Sequence, residues 1–175
     1  MIKIKDKEFV PFISAEEIDI RLKALGAQIS KDFKNDNPII IGVLNGAFMF
    51  LSDLAKYLDI PTEISFMKVA SYVGTDSKGE VTDLIGLESD LLNRRVIVVE
   101  DIIDTGLSMT HLLKTINTKN PKSVSVATLL YKPDALRYNV EVDYIGFEIE
   151  NKFVVGYGLD YDGQGRNIPS IYQLK

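Results

Sequence analysis

The run Val96-Ile97-Val98-Val99 constrains this chain more than any other feature, because the carboxylates Glu100 and Asp101 follow it directly. Four consecutive β-branched residues leave no polar side for solvent, so they predict a strand that is buried on both faces. In a soluble domain, such a strand lies in the middle of a parallel sheet flanked by helices. The run therefore predicts an α/β fold with a ligand site where the strand ends.

The residues after this strand have the composition of a phosphate-binding loop. Asp104, Thr105, Gly106 and Ser108 precede a helix that the sequence predicts at 109–118. Hydroxyls, a glycine and a helix N-terminus together favour a phosphate monoester. Helix capping is an alternative for any one of these side chains. Capping does not explain three acids within residues 100–104, which require a cation or a polyhydroxyl ligand.

Length and charge limit the classes to which the chain can belong. Its 175 residues predict one domain that spans 1–175. A net charge of −5 argues against nucleic acid as the main partner. The absence of cysteine excludes disulfides and thiolate metal sites. No run approaches the roughly 18 apolar residues of a membrane span, and the first residues lack an apolar segment, so we expect a cytoplasmic protein without a membrane partner.

A second strand and helix lie upstream of the acidic block. The apolar run 39–44 predicts another buried strand, and a helix is expected at about 48–58. The loop between them contains Asn45 and Gly46. Because the carboxyl ends of parallel strands meet at one edge of a sheet, the loops at 45–47 and 100–108 are expected to share a crevice.

The remaining elements follow from local patterns. Ser14 and Glu17 have the spacing of a capping box, and apolar residues at helical intervals follow as far as Phe33. Further strands are expected at 62–70, 81–87, 123–130 and 143–149, and residues 2–13 form a short strand or an extended arm. The segment 153–166, taken alone, is a strand followed by a glycine-rich turn.

The acidic block also carries a family resemblance. Its order is a hydrophobic strand, Glu-Asp, two aliphatic residues, Asp-Thr-Gly, any residue and Ser or Thr. This order resembles the phosphoribosyl-pyrophosphate (PRPP) binding motif of type I phosphoribosyltransferases, in the form typical of the hypoxanthine-guanine branch. Segments 44–46, 71–72 and 130–166 resemble the same branch in the same order. The resemblance implies a central, mainly parallel sheet flanked by helices, with a small hood and a mobile loop.

The resemblance implies a role for each segment. The PRPP and 5′-phosphate site would comprise Glu100, Asp101, Asp104, Thr105, Gly106, Leu107 and Ser108, with Asp104 as the catalytic group that exchanges a proton with the purine N7. Pyrophosphate would lie against Leu44, Asn45, Gly46 and Arg166. The resemblance also implies that the peptide bond before Asn45 is cis. The purine would contact Lys132, Phe153 and Val154, and the mobile loop would start at Ser71 and Tyr72. Glu100, Asp101 and Asp160 would hold Mg²⁺.

The implied reaction belongs to purine salvage. It is Mg²⁺-dependent transfer of the phosphoribosyl group from PRPP to hypoxanthine and guanine, which gives IMP or GMP and pyrophosphate, and the family implies a homodimer or homotetramer. Asn45 departs from the common Leu-Lys-Gly form and leaves only backbone donors and an amide beside pyrophosphate.

Two alternatives stay open at the level of the sequence. A xanthine- or guanine-preferring transferase has the same PRPP loop. A nucleotide-sensing regulator of the same fold would bind RNA or DNA through a basic face, whereas lysine and arginine are scattered along this acidic chain.

Overall fold

The computed structural model describes residues 1–71, 81–85 and 89–175. Within these residues the α-helices are α1 (Ala15–Asp32), α2 (Phe48–Ala55) and α3 (Leu107–Asn117). The strands are β1 (Ile2–Ile4), β2 (Lys7–Ile13), β3 (Ile39–Leu44), β4 (Glu63–Ser71), β5 (Val81–Ile85), β6 (Arg95–Ile103), β7 (Ser123–Tyr131), β8 (Tyr144–Glu148), β9 (Val154–Val155) and β10 (Ile171–Leu174). A 3₁₀ turn lies at Pro133–Ala135.

The larger sheet of the described chain has six strands in the order β5-β4-β3-β6-β7-β8. Five of them are parallel, and β5 pairs antiparallel with β4 at one edge. The central strand β6 is buried on both faces, as its β-branched run predicts. Ile97 and Val99 face one hydrophobic core, and Val96 and Val98 face the other.

Helices cover both faces of this sheet. Helices α1 and α2 pack on the face of Ile97 and Val99 through residues such as Leu25, Phe50 and Leu54. Helix α3 packs on the opposite face through Met109, Leu112 and Ile116. This α/β arrangement confirms the predicted fold class, and each βα connection delivers its loop to the carboxyl edge of the sheet.

Helix α1 begins where the capping box predicts. The N–H of Glu17 donates to Ser14 Oγ at 3.2 Å, and the N–H of Ser14 donates to Glu17 Oε2 at 2.8 Å. The predictions for the other two helices differ at their ends. Helix α2 ends at Ala55 rather than at 58, and α3 begins at Leu107 rather than at 109. The earlier start follows from the left-handed conformation of Gly106, which turns the chain directly into the helix.

A second, four-stranded sheet forms the hood, defined here as β1, β2, β10 and β9 in that order. Residues 2–13 form the antiparallel hairpin of β1 and β2, and β10 pairs with both β2 and β9. Ile4, Phe9 and Val155 form its small core. Val154 of β9 and Ile171 of β10 instead join the core of the larger sheet. The hood therefore fixes the segment around Val154 against the larger sheet.

The expected mobile loop lies mostly outside the described residues. Ser71 is the last residue of β4, and Tyr72 falls outside the described chain. In the part of the chain that the structure describes, no helix has the length and apolar character needed to cross a membrane.

Close packing between α1 and the end of α2 predicts the effect of a substitution at Gly26. A Cβ atom on Gly26 would lie 2.6 Å from both Cβ and the carbonyl oxygen of Tyr57. Alanine is favoured over glycine in a helix by about 1 kcal/mol, but overpacking costs about 1–3 kcal/mol. We therefore expect Gly26→Ala to lower the free energy of unfolding by about 1 kcal/mol in urea denaturation.

The exposed Ala24 on the same helix supplies the control. Ala24→Gly should cost about 1 kcal/mol through helix propensity alone. A Gly26→Ala variant that is more stable than the parent would show that Tyr57 can move away from α1.

Candidate active site

Two adjacent carboxylates, Glu100 and Asp101, lie near the carboxyl end of β6 and are half-buried. Glu100 Oε1 accepts from the N–H of Asp101 at 3.1 Å, and Asp101 Oδ1 accepts from the N–H of Ile102 at 2.8 Å. Burial and then the negative charge of Asp101 hold the pKa of Glu100 well above its usual value. The pair therefore favours a ligand that brings positive charge or hydroxyl donors.

The loop after β3 touches this acidic pair. The peptide between Leu44 and Asn45 is cis, as the resemblance implies. A Cβ atom on Gly46 would overlap the carboxylate of Asp101, and a Cβ atom on Gly158 would overlap the carbonyl oxygen of Gly46. Three segments that are distant in sequence therefore meet with backbone or carboxylate in direct contact. Sequence reasoning missed Gly158, although its place in a glycine-rich turn was a usable signal.

Arg166 connects the C-terminal turn to the same place. Its Nη1 donates to the carbonyl oxygen of Gly158 at 2.6 Å, and its Nη2 forms an ion pair with Asp160 Oδ1 at 2.5 Å. Asp160 Oδ2 also accepts from the N–H of Gly163 at 2.7 Å. Burial raises the pKa of Asp101, and the positive charge of Arg166 opposes that rise. Arg166 is thus the cation beside the acidic pair and the 44–46 loop.

The loop before α3 is held in place by backbone contacts. The carbonyl oxygen of Thr105 accepts from the N–H groups of Arg137 at 3.0 Å and Tyr138 at 3.1 Å. Gly106 has φ of +82°, and a Cβ atom on it would lie 2.7 Å from the carbonyl oxygen of Tyr138. Only glycine suits this position, because both the conformation and the close backbone exclude a side chain.

The capping alternative for this loop is wrong. Gly106 is the N-cap residue of α3, and no side-chain capping hydrogen bond occurs at this described helix start. Thr105 Oγ1 lies 3.5 Å from the nitrogen of Leu107, at the limit of a hydrogen bond. The first N–H groups of α3 therefore face a cavity of about 100 Å³, which is lined by Glu100, Ile102, Ile103, Asp104, Thr105, Gly106, Leu107, Ser108 and Met109. Such a cavity suits a phosphate group.

Lys132 and Asp104 form an ion pair at the end of the neighbouring strands. Lys132 Nζ lies 2.9 Å from Asp104 Oδ2, and the lysine is only 5% exposed. Sequence reasoning placed both residues in the site but missed their pairing. The pairing follows from the register of the sheet, because Ile103 of β6 aligns with Tyr131 of β7 and each charged residue comes next in the chain.

A second cavity of about 240 Å³ begins at this ion pair. It is lined by Asp101, Ile102, Asp104, Lys132, Phe153, Val154, Leu159 and Asp160. Phe153 is 44% exposed, which is unusual for a large apolar side chain, and it offers a ring for a flat ligand. The two cavities share Ile102 and Asp104 in their linings, so they lie next to each other, and together they are called the crevice here. A buried cation, an aromatic ring, paired carboxylates and a phosphate-type loop thus follow one another along the sheet edge.

Comparison with known proteins agrees with this arrangement. The phosphoribosyl transferase domain matches residues 14–162. The chain belongs to the phosphoribosyltransferase family. A Mycobacterium tuberculosis protein named hypoxanthine-guanine phosphoribosyltransferase is 42% identical over 92% of this chain and 87% of its own length. A Bacillus subtilis protein of the same name is 42% identical over 93% of this chain and 91% of its own length.

A solved structure supports the same assignment. The crystal structure of a hypoxanthine phosphoribosyltransferase from Staphylococcus aureus has a TM-score of 0.91 and 38% sequence identity with this chain. The match covers 97% of this chain and 92% of that one. The type I phosphoribosyltransferase fold expected from the sequence motifs is therefore confirmed.

The raised pKa of Glu100 predicts a pH-dependent stability difference for Glu100→Gln. A carboxyl group whose pKa is raised in the folded state stabilises the protein at pH values below its ordinary pKa of 4.5. That stabilisation is lost as the pH rises through the pKa of the folded state. Glutamine carries no charge at any pH. At neutral pH, the free energy of unfolding of the variant should therefore exceed that of the parent by about 0.5–2 kcal/mol. The difference should vanish near the ordinary value of 4.5.

Urea denaturation of the ligand-free protein across this pH range measures the effect. Glu141→Gln, at an exposed acid, is the matched control and should show no pH-dependent gain. Lower stability of Glu100→Gln at neutral pH would mean that surrounding donors already satisfy the carboxylate.

Proposed function

We propose that this protein transfers the phosphoribosyl group of PRPP to hypoxanthine and guanine, giving IMP or GMP and pyrophosphate in purine salvage. The observation that carries the proposal is the crevice itself, in which Glu100 and Asp101 lie between a phosphate-type loop and a cavity with a cation and an aromatic ring. Relatives at 42% identity carry the name of this activity.

The residues of the crevice, together with the neighbouring 44–46 loop and Arg166, divide the substrate PRPP between them. The N–H groups of Leu107 and Ser108, the hydroxyls of Thr105 and Ser108 and the backbone of Gly106 bind the 5′-phosphate. Glu100 and Asp101 accept from the ribose hydroxyls. The backbone of the 44–46 loop, the amide of Asn45 and the guanidinium of Arg166 bind pyrophosphate. This division follows the order of the residues along the sheet edge.

The donor set fits Mg²⁺ bound together with substrate. Magnesium is held by one or two carboxylates plus phosphate oxygens and water, and Glu100 and Asp101 supply such a pair with raised pKa values. In the described residues, no group of three acidic, histidine or cysteine side chains could chelate an ion alone. Asp160 is the third carboxylate, and it would exchange its partner Arg166 for a second ion. A Mg²⁺ ion held by these carboxylates would supply positive charge against the negative charge of the departing pyrophosphate.

The purine end of the crevice selects and activates the base. Lys132 donates to the 6-oxo oxygen, Phe153 stacks on the ring and the backbone of Val154 meets its edge. A 6-amino purine would present a donor to the donor Lys132, so adenine is rejected. As the anomeric C–O bond to pyrophosphate breaks, a purine nitrogen bonds to the same carbon. Asp104, held by Lys132, exchanges the proton of N7.

The setting of the enzyme belongs to the same proposal. We place it in the cytoplasm as a homodimer or homotetramer, since the family resemblance implies both. Phe48, Ile64 and Phe66 are large apolar side chains that remain exposed on the single chain and could be covered by a second copy.

A product assay tests the proposed function directly. Purified protein is incubated with PRPP and Mg²⁺ and with hypoxanthine, guanine, xanthine or adenine in turn, and nucleotides are separated by chromatography. IMP and GMP should form while adenine stays unreacted. Faster formation of XMP would favour the xanthine-preferring alternative. No product with any base, together with retained PRPP binding and a salt-sensitive complex with RNA, would favour the regulator.

Asp104→Asn separates proton exchange from substrate binding. General acid–base groups contribute about 10²–10⁴-fold, so kcat should fall at least about 100-fold. The dissociation constant for PRPP, measured by calorimetry, should change by less than about threefold, because an amide retains one acceptor. Asp134→Asn, at an exposed acid nearby, is the control and should leave both quantities unchanged. Equal losses of turnover and PRPP binding would make Asp104 a structural residue.

A further inference from the structure

The ring of Phe153 is supported by two other aromatic rings, one from the hood and one from the C-terminal turn. The ring of Tyr161 lies 5.8 Å away in an edge-on arrangement at 84°, and the ring of Phe9 lies 6.3 Å away at 43°. Phe9 is completely buried, whereas Phe153 is 44% exposed. Contacts of this type favour a fixed relative orientation of the rings. The exposed ring is therefore part of an ordered aromatic cluster, defined here as Phe9, Phe153 and Tyr161.

The turn between β1 and β2 anchors this aromatic cluster. The hydroxyl of Tyr161 donates to Asp6 Oδ1 at 2.9 Å. The ammonium of Lys7 lies 4.5 Å from the ring centroid of Tyr161 and 5.6 Å from that of Phe153. Both distances are within the range of a cation–π interaction. Lys5 of the same turn forms an ion pair with Asp162, next to Tyr161.

These anchoring residues lie outside the crevice. Of the aromatic cluster, Phe153 lines the 240 Å³ cavity, and Asp6, Lys7, Phe9 and Tyr161 are not among its lining residues. The contacts that support Phe153 therefore come from residues that do not line the cavity. A cation beside the ring also withdraws negative potential from its face, which favours stacking on another π-system.

We propose that Lys7, Asp6 and Tyr161 are positioning residues for the purine, because they fix the ring of Phe153 against which the base stacks. This inference rests on the proposed function and adds a determinant of base affinity from a segment some 150 residues away in sequence. These residues touch neither Glu100 and Asp101 nor the pair of Asp104 and Lys132 among the contacts of the described chain. Their loss therefore acts on the affinity for purine and leaves turnover and PRPP affinity intact.

Two conservative variants test the proposal. Lys7→Met keeps the aliphatic stem and removes the cation, and Tyr161→Phe keeps the ring and removes the hydroxyl. Each should raise the KM for hypoxanthine about three- to tenfold, as expected for one cation–π contact or hydrogen bond. The kcat and the KM for PRPP should stay within about twofold. Lys34→Met removes a charge from an exposed position just after the end of α1 and should change none of these constants.

A double-mutant cycle with Phe153→Leu tests whether the effect passes through that ring. In the Phe153→Leu protein, Lys7→Met should raise the KM for hypoxanthine no further, because the ring it supports is gone. Additive penalties would overturn the proposal. Unchanged hypoxanthine KM in both single variants, or an equal rise in the KM for PRPP, would also overturn it.

Two further measurements separate failure of this proposal from other failures. Thermal denaturation shows whether each variant is folded, and Lys7→Met at a half-exposed position decides the matter if Tyr161→Phe does not fold. Calorimetric titration with IMP gives base affinity without turnover. A parent protein that forms no product and binds no IMP would refute the proposed function and this inference with it. An active parent with unchanged variants would refute the inference alone.

Discussion

The absence of a side chain at Gly46 is the constraint on which the crevice depends. It allows the carboxylate of Asp101 to touch the backbone of the 44–46 loop, and the backbone of Gly158 closes on the other side. Strands β3 and β6 are parallel neighbours, so their carboxyl ends are fixed by the sheet. The 44–46 loop can approach the carboxylate of Asp101 this closely only because Gly46 carries no Cβ atom. The distance between the acidic pair and the 44–46 loop is therefore set by backbone packing.

The same packing places the carboxylates of Glu100 and Asp101 side by side, where their negative charges do not stabilise the folded protein. Burial and mutual repulsion raise the pKa of Glu100, so the ionised pair opposes folding at neutral pH. The fully buried run Val96–Val99, which anchors the strand in both cores, offsets this cost. An acidic pair held at the end of such a strand is expected where a ligand provides the compensating charge.

Local patterns predicted the elements that leave a strong local signal. The apolar run of β3 and the capping box of α1 gave those elements close to their observed bounds. The apolar run of β6 predicted its start and its burial, but the strand continues past Val99 through Glu100 and Asp101 to Ile103. Strand β10 was not predicted, because its pairing with β2 joins residues more than 150 positions apart and leaves little local signal. The candidate site residues were named by motif, whereas the contacts between Gly46, Gly158 and Asp101 depend on backbone approach that a sequence does not display.

The pairing of Lys132 with Asp104 connects base selection to proton exchange in the proposed reaction. Both residues follow aligned positions of β6 and β7, so their separation is set by the register of the sheet. A buried ammonium needs acceptors and carries three donors, so Lys132 can keep Asp104 and still donate to a carbonyl oxygen. A purine with an amino group in place of the carbonyl oxygen would put two donors opposite each other. Lys132 has little freedom to turn away, because it is buried and paired with Asp104. In the proposed reaction, the register that positions Asp104 therefore also positions the lysine that selects the base.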